Sequence, residues 1–181
     1  MNIHIKKIVL GGIAGFLIFL IAIPALYWLL SNALDKALDL RPISNLAVTL
    51  IFAATSILIG MFWISWSYSY LVFVGKGLPF EAFGRAIQPT SELVTTGPYA
   101  YTRNPMIFGE LFILLGTAFL ARSVSGIILV PIFAMVIYLY LVEYEEKGLY
   151  RRFGADYEEY RRNVPAIFPQ LKPYIHEKAN A

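Results

Sequence analysis

Between Leu93 and Glu110 a polar, turn-rich segment containing Arg103, Asn104 and Pro105 runs directly into a long apolar stretch. Further along, the acids Glu143, Glu145 and Glu146 close another apolar stretch. Asn104 is a good helix N-cap, and Pro105 suits the first helical position because its missing N–H would have no intrahelical partner. A helix is therefore predicted to begin there. Its unpaired first amides and the positive end of the macrodipole, next to Arg103, favour a carboxylate or a phosphate. The three acids suit a cation or hydroxyl groups, so the two stretches together suit a ligand that carries both charges. The same residues also fit a plainer reading, in which Asn-Pro caps a membrane helix and Arg103 reaches up to lipid headgroups.

Other chemistries are excluded or disfavoured. With no cysteine among 181 residues there are no disulfides, thiolate metal sites or cysteine nucleophiles. His4 and His176 stand apart from any acidic or histidine cluster and are assigned to neither a metal nor catalysis. No GxGxxG follows a strand, and GxxxxGK[ST], HExxH and GxSxG are missing, which disfavours the common nucleotide folds, hydrolases and metalloproteases.

The elements that must position these residues are membrane helices. The chain is 58% hydrophobic, with a mean hydropathy of +0.62, which is too apolar for a soluble domain of this length. After Lys6 and Lys7 the run Ile8 to Leu30 is long enough to span a bilayer and too long for the core of a signal peptide. No charge separates Pro42 from Gly75, which predicts a second, long span. Its last third, Trp63 to Tyr70, places rings and hydroxyls at helical spacing, suited to an interfacial belt or to a cavity wall. A glycine- and proline-punctuated loop over 75–104 is expected to pack over the helices.

Pro105 to about Ala121 and Ser125 to Val142 form a helical hairpin across the turn at Arg122 and Ser123. Glu110 lies within the first of these helices; an acid there is a functional candidate, or else it reaches the nearby interface. Past the bilayer the last helix continues to Phe153-Gly154, and Asp156 caps a short helix from Tyr157 to Asn163. Tyr150, Phe153, Tyr157 and Tyr160, with Arg151, Arg152, Arg161 and Arg162, suit a membrane surface.

The predicted fold is thus an all-α polytopic membrane protein with about four transmembrane helices and a C-terminal interfacial helix. It is expected to form a single membrane domain over 1–181, divided into two N-terminal spans (1–74), a cytoplasmic loop (75–104), a hairpin (105–142) and a cofactor-binding tail (143–181). Every Lys and Arg except Lys36, Arg41 and Arg122 falls on the side of the termini and the loop, which the positive-inside rule makes cytoplasmic. The cell inner membrane is the expected location.

Two motifs carry a family resemblance. Leu93-Val-Thr-Thr-Gly-Pro-Tyr-Ala-Tyr-Thr-Arg-Asn-Pro-Met106 resembles the LVxxGxYxxxRHPxYxG signature of the isoprenylcysteine carboxyl methyltransferase and phospholipid methyltransferase superfamily. Glu145-Glu146, Leu149, Phe153-Gly154, Tyr157, Tyr160, Val164-Pro165 and Pro169 resemble its second motif, EExxL, FGxxYxxY, VPxxxP. The resemblance covers residues 93–169 and implies a membrane enzyme that takes a methyl group from S-adenosylmethionine and passes it to an acceptor from the bilayer.

Carried over residue by residue, Leu93, Val94, Tyr99, Asn104, Pro105, Met106 and Glu145 bind the cofactor, and Arg103, Glu145 and Glu146 make up the catalytic set. Leu141, at the position of a family arginine that faces the acceptor, and Glu110, as an acid within a membrane helix, are the expected acceptor-side residues. In three places the chain departs from the pattern. Asn104 replaces the usual histidine and Ile107 the following tyrosine. Leu141 replaces the arginine that isoprenylcysteine methyltransferases carry one turn before Glu145, which disfavours a prenylcysteine carboxylate and favours a lipid or other amphiphilic acceptor. The alternatives are a membrane reductase of related fold that uses NADPH, and a non-catalytic membrane scaffold.

Overall fold

The computed structural model describes residues 15, 17–76, 81–82, 85–86 and 90–175. The expectations for His4, Lys6, Lys7, the start of the first span, His176 and most of the 77–89 loop lie outside the described residues. Among the described residues five α-helices account for the long elements, and the chain is an all-helical, polytopic integral membrane protein. A π-helical turn, Ile18–Ala22, leads into α1 (Ile23–Ala37), and α2 (Leu46–Phe73) follows. A two-residue antiparallel ladder pairs β1 (Glu81–Ala82) with β2 (Arg85–Ala86) within the loop. A 3-10 turn, Gly97–Ala100, precedes α3 (Pro105–Leu120) and α4 (Val124–Tyr140). A second π-helical turn, Leu141–Glu145, then leads into α5 (Glu146–Asn163).

Among the described residues three helices are long and apolar enough to cross a membrane: Ile18–Ala37, Leu46–Phe73 and the continuous Val124–Asn163. The expected third span, α3, is apolar but has 16 residues, roughly 24 Å at the helical rise and short of the hydrocarbon thickness.

The described residues fall into two compact units, one built from the chain up to Phe62 with Gly109–Ile137, the other from Trp63–Phe108 with the chain from Tyr138 onward. The first unit is inverted relative to a soluble core. Leu26, Leu29, Ile51, Leu58, Ile132 and Met135 are exposed, whereas Ser31, Thr49, Ser56 and Thr117 are buried. Ser31, Thr49 and Thr117 donate to carbonyls of their own helices, three or four residues back, so no hydroxyl proton of theirs is stranded in an apolar medium.

Association without a hydrophobic drive needs close packing, and here glycines supply it. A Cβ on Gly60 would lie 2.6 Å from the Gly109 carbonyl, and one on Gly116 2.6 Å from Ile57. Tyr27, Leu114 and Ala118 form the core of this unit, with Ile127, Val130 and Phe133 packed against them.

The turn between α3 and α4 is held by side chains. Ser123 caps α4, its Oγ accepting the Gly126 amide at 2.9 Å, and Asp35 accepts the Ser125 amide at 2.8 Å. Arg122, at φ 53°, donates through Nε to the Ile43 carbonyl at 2.6 Å and through Nη2 to that of Ser44 at 3.2 Å. Arg122 is therefore a structural clasp on the 43–44 turn.

Candidate functional site

The second unit is knit together by hydrogen bonds between the 99–104 segment and the chain beyond residue 160. The Tyr160 hydroxyl donates to the Tyr99 carbonyl at 2.7 Å. Backbone amides of Gln170 and Tyr174 bond the carbonyls of Tyr101 and Ala100 at 2.9 and 2.8 Å, and the Arg103 amide bonds that of Pro165 at 2.9 Å. Thr102, fully buried, sends its hydroxyl to the carbonyls of Ala166 and Ile167 at 3.1 and 2.8 Å. The two stretches singled out by motif are thus bound to one another.

Glycine is required at the start of this segment. Gly97 has φ 60°, a left-handed conformation that side chains resist, and a Cβ there would stand 2.3 Å from the Tyr70 ring. Around it the expected aromatic run of α2 stacks mainly on itself and on neighbouring rings: Trp63 with Phe108 at 5.0 Å, Trp66 with Tyr101 at 6.2 Å. Leu71 is the residue of α2 that lines the cavity described next.

A cavity of about 70 Å³ lies in this unit, lined by Leu71, Thr90, Leu93, Val94, Tyr99, Arg103, Asn104, Leu141, Glu145, Glu146, Leu149, Tyr157 and Tyr160. Eight of the sequence-derived candidates are in that wall. Pro105 is buried at the start of α3 and Met106 is half-buried; neither lines the cavity. Glu110 falls in the other unit, 2% exposed, with no hydrogen-bond partner on either carboxylate oxygen among the described residues.

Asn104 stands just before the first residue of α3, and its carbonyl accepts the Phe108 amide at 3.1 Å, as an N-cap's does. Its side-chain amide is turned elsewhere, donating to the Ala166 carbonyl at 2.9 Å. Through that bond Asn104 joins the seam to the C-terminal segment.

Arg103 does not point to headgroups. Its Nη2 lies 2.9 Å from Glu146 Oε1, and the two side chains are 10% and 6% exposed. Removing either partner of such a buried pair strands a charge, a loss of about 3–5 kcal/mol. Arg103 Nε and Nη1 are buried without a hydrogen-bond partner among the described residues. They are donors on the cavity wall with capacity to spare for an anion. Arg161 Nη1 approaches the other oxygen of Glu146 at 3.4 Å.

Glu145 is half-buried at the end of the π-helical turn, a feature found often at functional sites because it re-aims one turn of side chains. Burial, and secondarily the charge of Glu145, hold the Tyr99 hydroxyl well above its ordinary pKa. Tyr99 is thus a neutral hydrogen-bonding group at physiological pH. Leu141, 2% exposed, gives the cavity an apolar wall.

Two residues expected at a membrane surface are instead interior. Tyr157 and Tyr160 are 2% and 3% exposed and form a core with Val164 against Leu93, Leu149 and Phe153. The 157, 160, 164 spacing is that of one helix face, a signal that could have assigned them inward. Arg162 pairs with Glu158 at i,i+4 as the spacing predicts.

Comparison with known proteins places the chain in a family. The phospholipid methyltransferase family model matches residues 48–156. The chain is 28% identical over 158 residues to the cobalt-zinc-cadmium resistance protein CzcN of Cupriavidus metallidurans, covering 82% of this chain and 73% of that one. It is 27% identical over 126 residues to methanethiol S-methyltransferase 2 of Bradyrhizobium diazoefficiens, covering 65% of this chain and 48% of that one. Over 79 residues it is 35% identical to protein-S-isoprenylcysteine O-methyltransferase of Schizosaccharomyces pombe, 44% of this chain and 34% of that one. The last two relatives are matched over half their length or less. No solved structure matches the chain.

Proposed function

The chain belongs to the phospholipid methyltransferase family, and on that premise we propose that it transfers a methyl group from S-adenosylmethionine to a lipid or other amphiphilic acceptor. The observation that carries this reading is the cavity wall itself. It joins the buried, incompletely paired guanidinium of Arg103 to the acids Glu145 and Glu146 and to the rings of Tyr99, Tyr157 and Tyr160. That donor set suits a molecule with a carboxylate, an ammonium, a ribose and a flat heterocycle. When bound, S-adenosylmethionine supplies an electrophilic methyl group on a sulfonium sulfur.

In this reading Arg103 holds the carboxylate, Glu145 the ammonium or the ribose hydroxyls, and the 93–106 segment forms the rest of the pocket with Pro105 and Met106 behind it. The present cavity, about 70 Å³, is below the roughly 300 Å³ of the smaller ligand sites, so binding requires its side chains to move apart. The chain's own contribution to rate is to orient the two reactants and exclude water. Leu141 lines the cavity where a prenylcysteine carboxylate would need a cation, which supports a neutral or apolar acceptor group instead. The side of the membrane bearing the cavity is proposed to be cytoplasmic, in the cell inner membrane, from the distribution of Lys and Arg.

Titration of the detergent-solubilised protein tests the reading. Heat on adding S-adenosylhomocysteine, and none on adding NADPH, is the expected result. The reverse pattern would transfer the protein to the reductases, and heat with neither ligand would leave a scaffold.

A further inference from the structure

On the reading of the cavity as the seat of a ligand with an amino-acid end, we propose that Arg161 is a positioning residue that gives Arg103 its hold on the ligand's carboxylate, acting through Glu146. By sequence Arg161 belongs with the surface arginines, and it is exposed, yet its guanidinium reaches the buried Glu146.

Arg103 and Glu146 are buried together at 2.9 Å. Opposite charges that close cancel beyond a short range, so a carboxylate approaching Arg103 would meet repulsion from Glu146 nearly equal to the attraction. Arg161, 51% exposed and with Nη1 3.4 Å from the second oxygen of Glu146, changes that sum. The triad of two guanidiniums and one carboxylate carries a net positive charge. The donors that would use it are in place, since Nε and Nη1 of Arg103 are buried without a hydrogen-bond partner among the described residues. Glu146 also lines a surface groove of about 550 Å³ together with Arg151 and Arg161. The same residue therefore lines both the cavity and the outer groove.

The backbone is shaped to make this contact. Residues 15 apart, as Glu146 and Arg161 are, would be about 22 Å apart along a straight helix. At Gly154 the chain leaves helical geometry with φ 55° and ψ −125°, and this break brings Arg161 back to Glu146. A Cβ at Gly154 would meet nothing within 4 Å, so the glycine serves the turn and not the packing.

The test is titration of the full chain in detergent with two ligands: S-adenosylhomocysteine, and methylthioadenosine, which keeps the nucleoside and thioether but has no amino-acid end. Arg161→Gln is expected to weaken S-adenosylhomocysteine about 5- to 10-fold and to leave methylthioadenosine unchanged, with Arg161→Lys within about twofold of wild type. In a Glu146→Gln background the Arg161→Gln change should cost clearly less than in wild type, because the carboxylate whose repulsion it offsets is already neutral. Equal weakening of both ligands, no weakening of either, or a loss that lysine does not rescue would overturn the role given to Arg161 while leaving the methyltransferase reading in place. A wild-type protein that binds neither nucleoside overturns both.

Discussion

The two units hold themselves together by opposite means. In the first, large apolar side chains face outward and the helices meet through glycines, at Gly60 against Gly109 and Gly116 against Ile57. Its specific polar contacts gather at one turn, around Asp35, Arg122 and Ser123. In the second, helices are short or broken by π-helical and left-handed residues, and cohesion comes from hydrogen bonds between segments distant in sequence. A unit surrounded by lipid gains from small residues and internally satisfied hydroxyls. A unit that must hold a charged ligand needs fixed donors and acceptors, and directional bonds fix them.

The contrast can be broken at single residues. Gly97→Ala places a methyl group into the Tyr70 ring at a left-handed position, with an expected loss of about 2–5 kcal/mol in thermal or denaturant unfolding and no detectable ligand binding. Wild-type stability in that variant would mean the 97–104 segment is not held as tightly as its contacts imply. Glu145→Gln, in the cavity wall, should keep the fold and weaken S-adenosylhomocysteine by roughly 1.5–3 kcal/mol, the worth of a charge-assisted hydrogen bond. Unchanged affinity would remove Glu145 from the site.

Arg122→Ala sharpens the comparison from the other unit. Losing its two bonds to the 43–44 turn should lower unfolding free energy by about 1–2 kcal/mol, while ligand affinity stays within error of wild type. A drop in affinity there would show that the units do not divide stability from binding in this way.

Much of this was legible in the residues. Asn104-Pro105 announces the start of α3, Arg122-Ser123 the turn before α4, and Gly154 with Asp156 the break in α5, because capping and left-handed positions depend on local chemistry. The meeting of 93–106 with 145–170 followed from resemblance. What stayed hidden has no local signature. The π-helical turn over 141–145 shifts hydrogen bonds without changing composition, and the Arg103–Glu146 pair joins residues far apart in the chain. Tyr157 and Tyr160 look amphipathic enough for a headgroup layer, and only the packing around Leu93 and Val164 reveals them as interior. Arg122 looked like an ordinary loop charge, and its value as a clasp depends on two carbonyls some eighty residues earlier (|i−j| 79 and 78).

The hydrogen bonds of Tyr99 to Arg103 carry one more consequence, for the order of events during synthesis. Their partners sit in chain that leaves the ribosome much later, 61 residues on for Tyr160 with Tyr99 and 70 for Gln170 with Ala100. At about 5–20 residues per second that is a delay of seconds, during which water alone can satisfy those carbonyls. Membrane insertion of the apolar helices can precede it, but the walls that would face a ligand close last, so a nascent chain acquires its place in the bilayer before it acquires anything to do there.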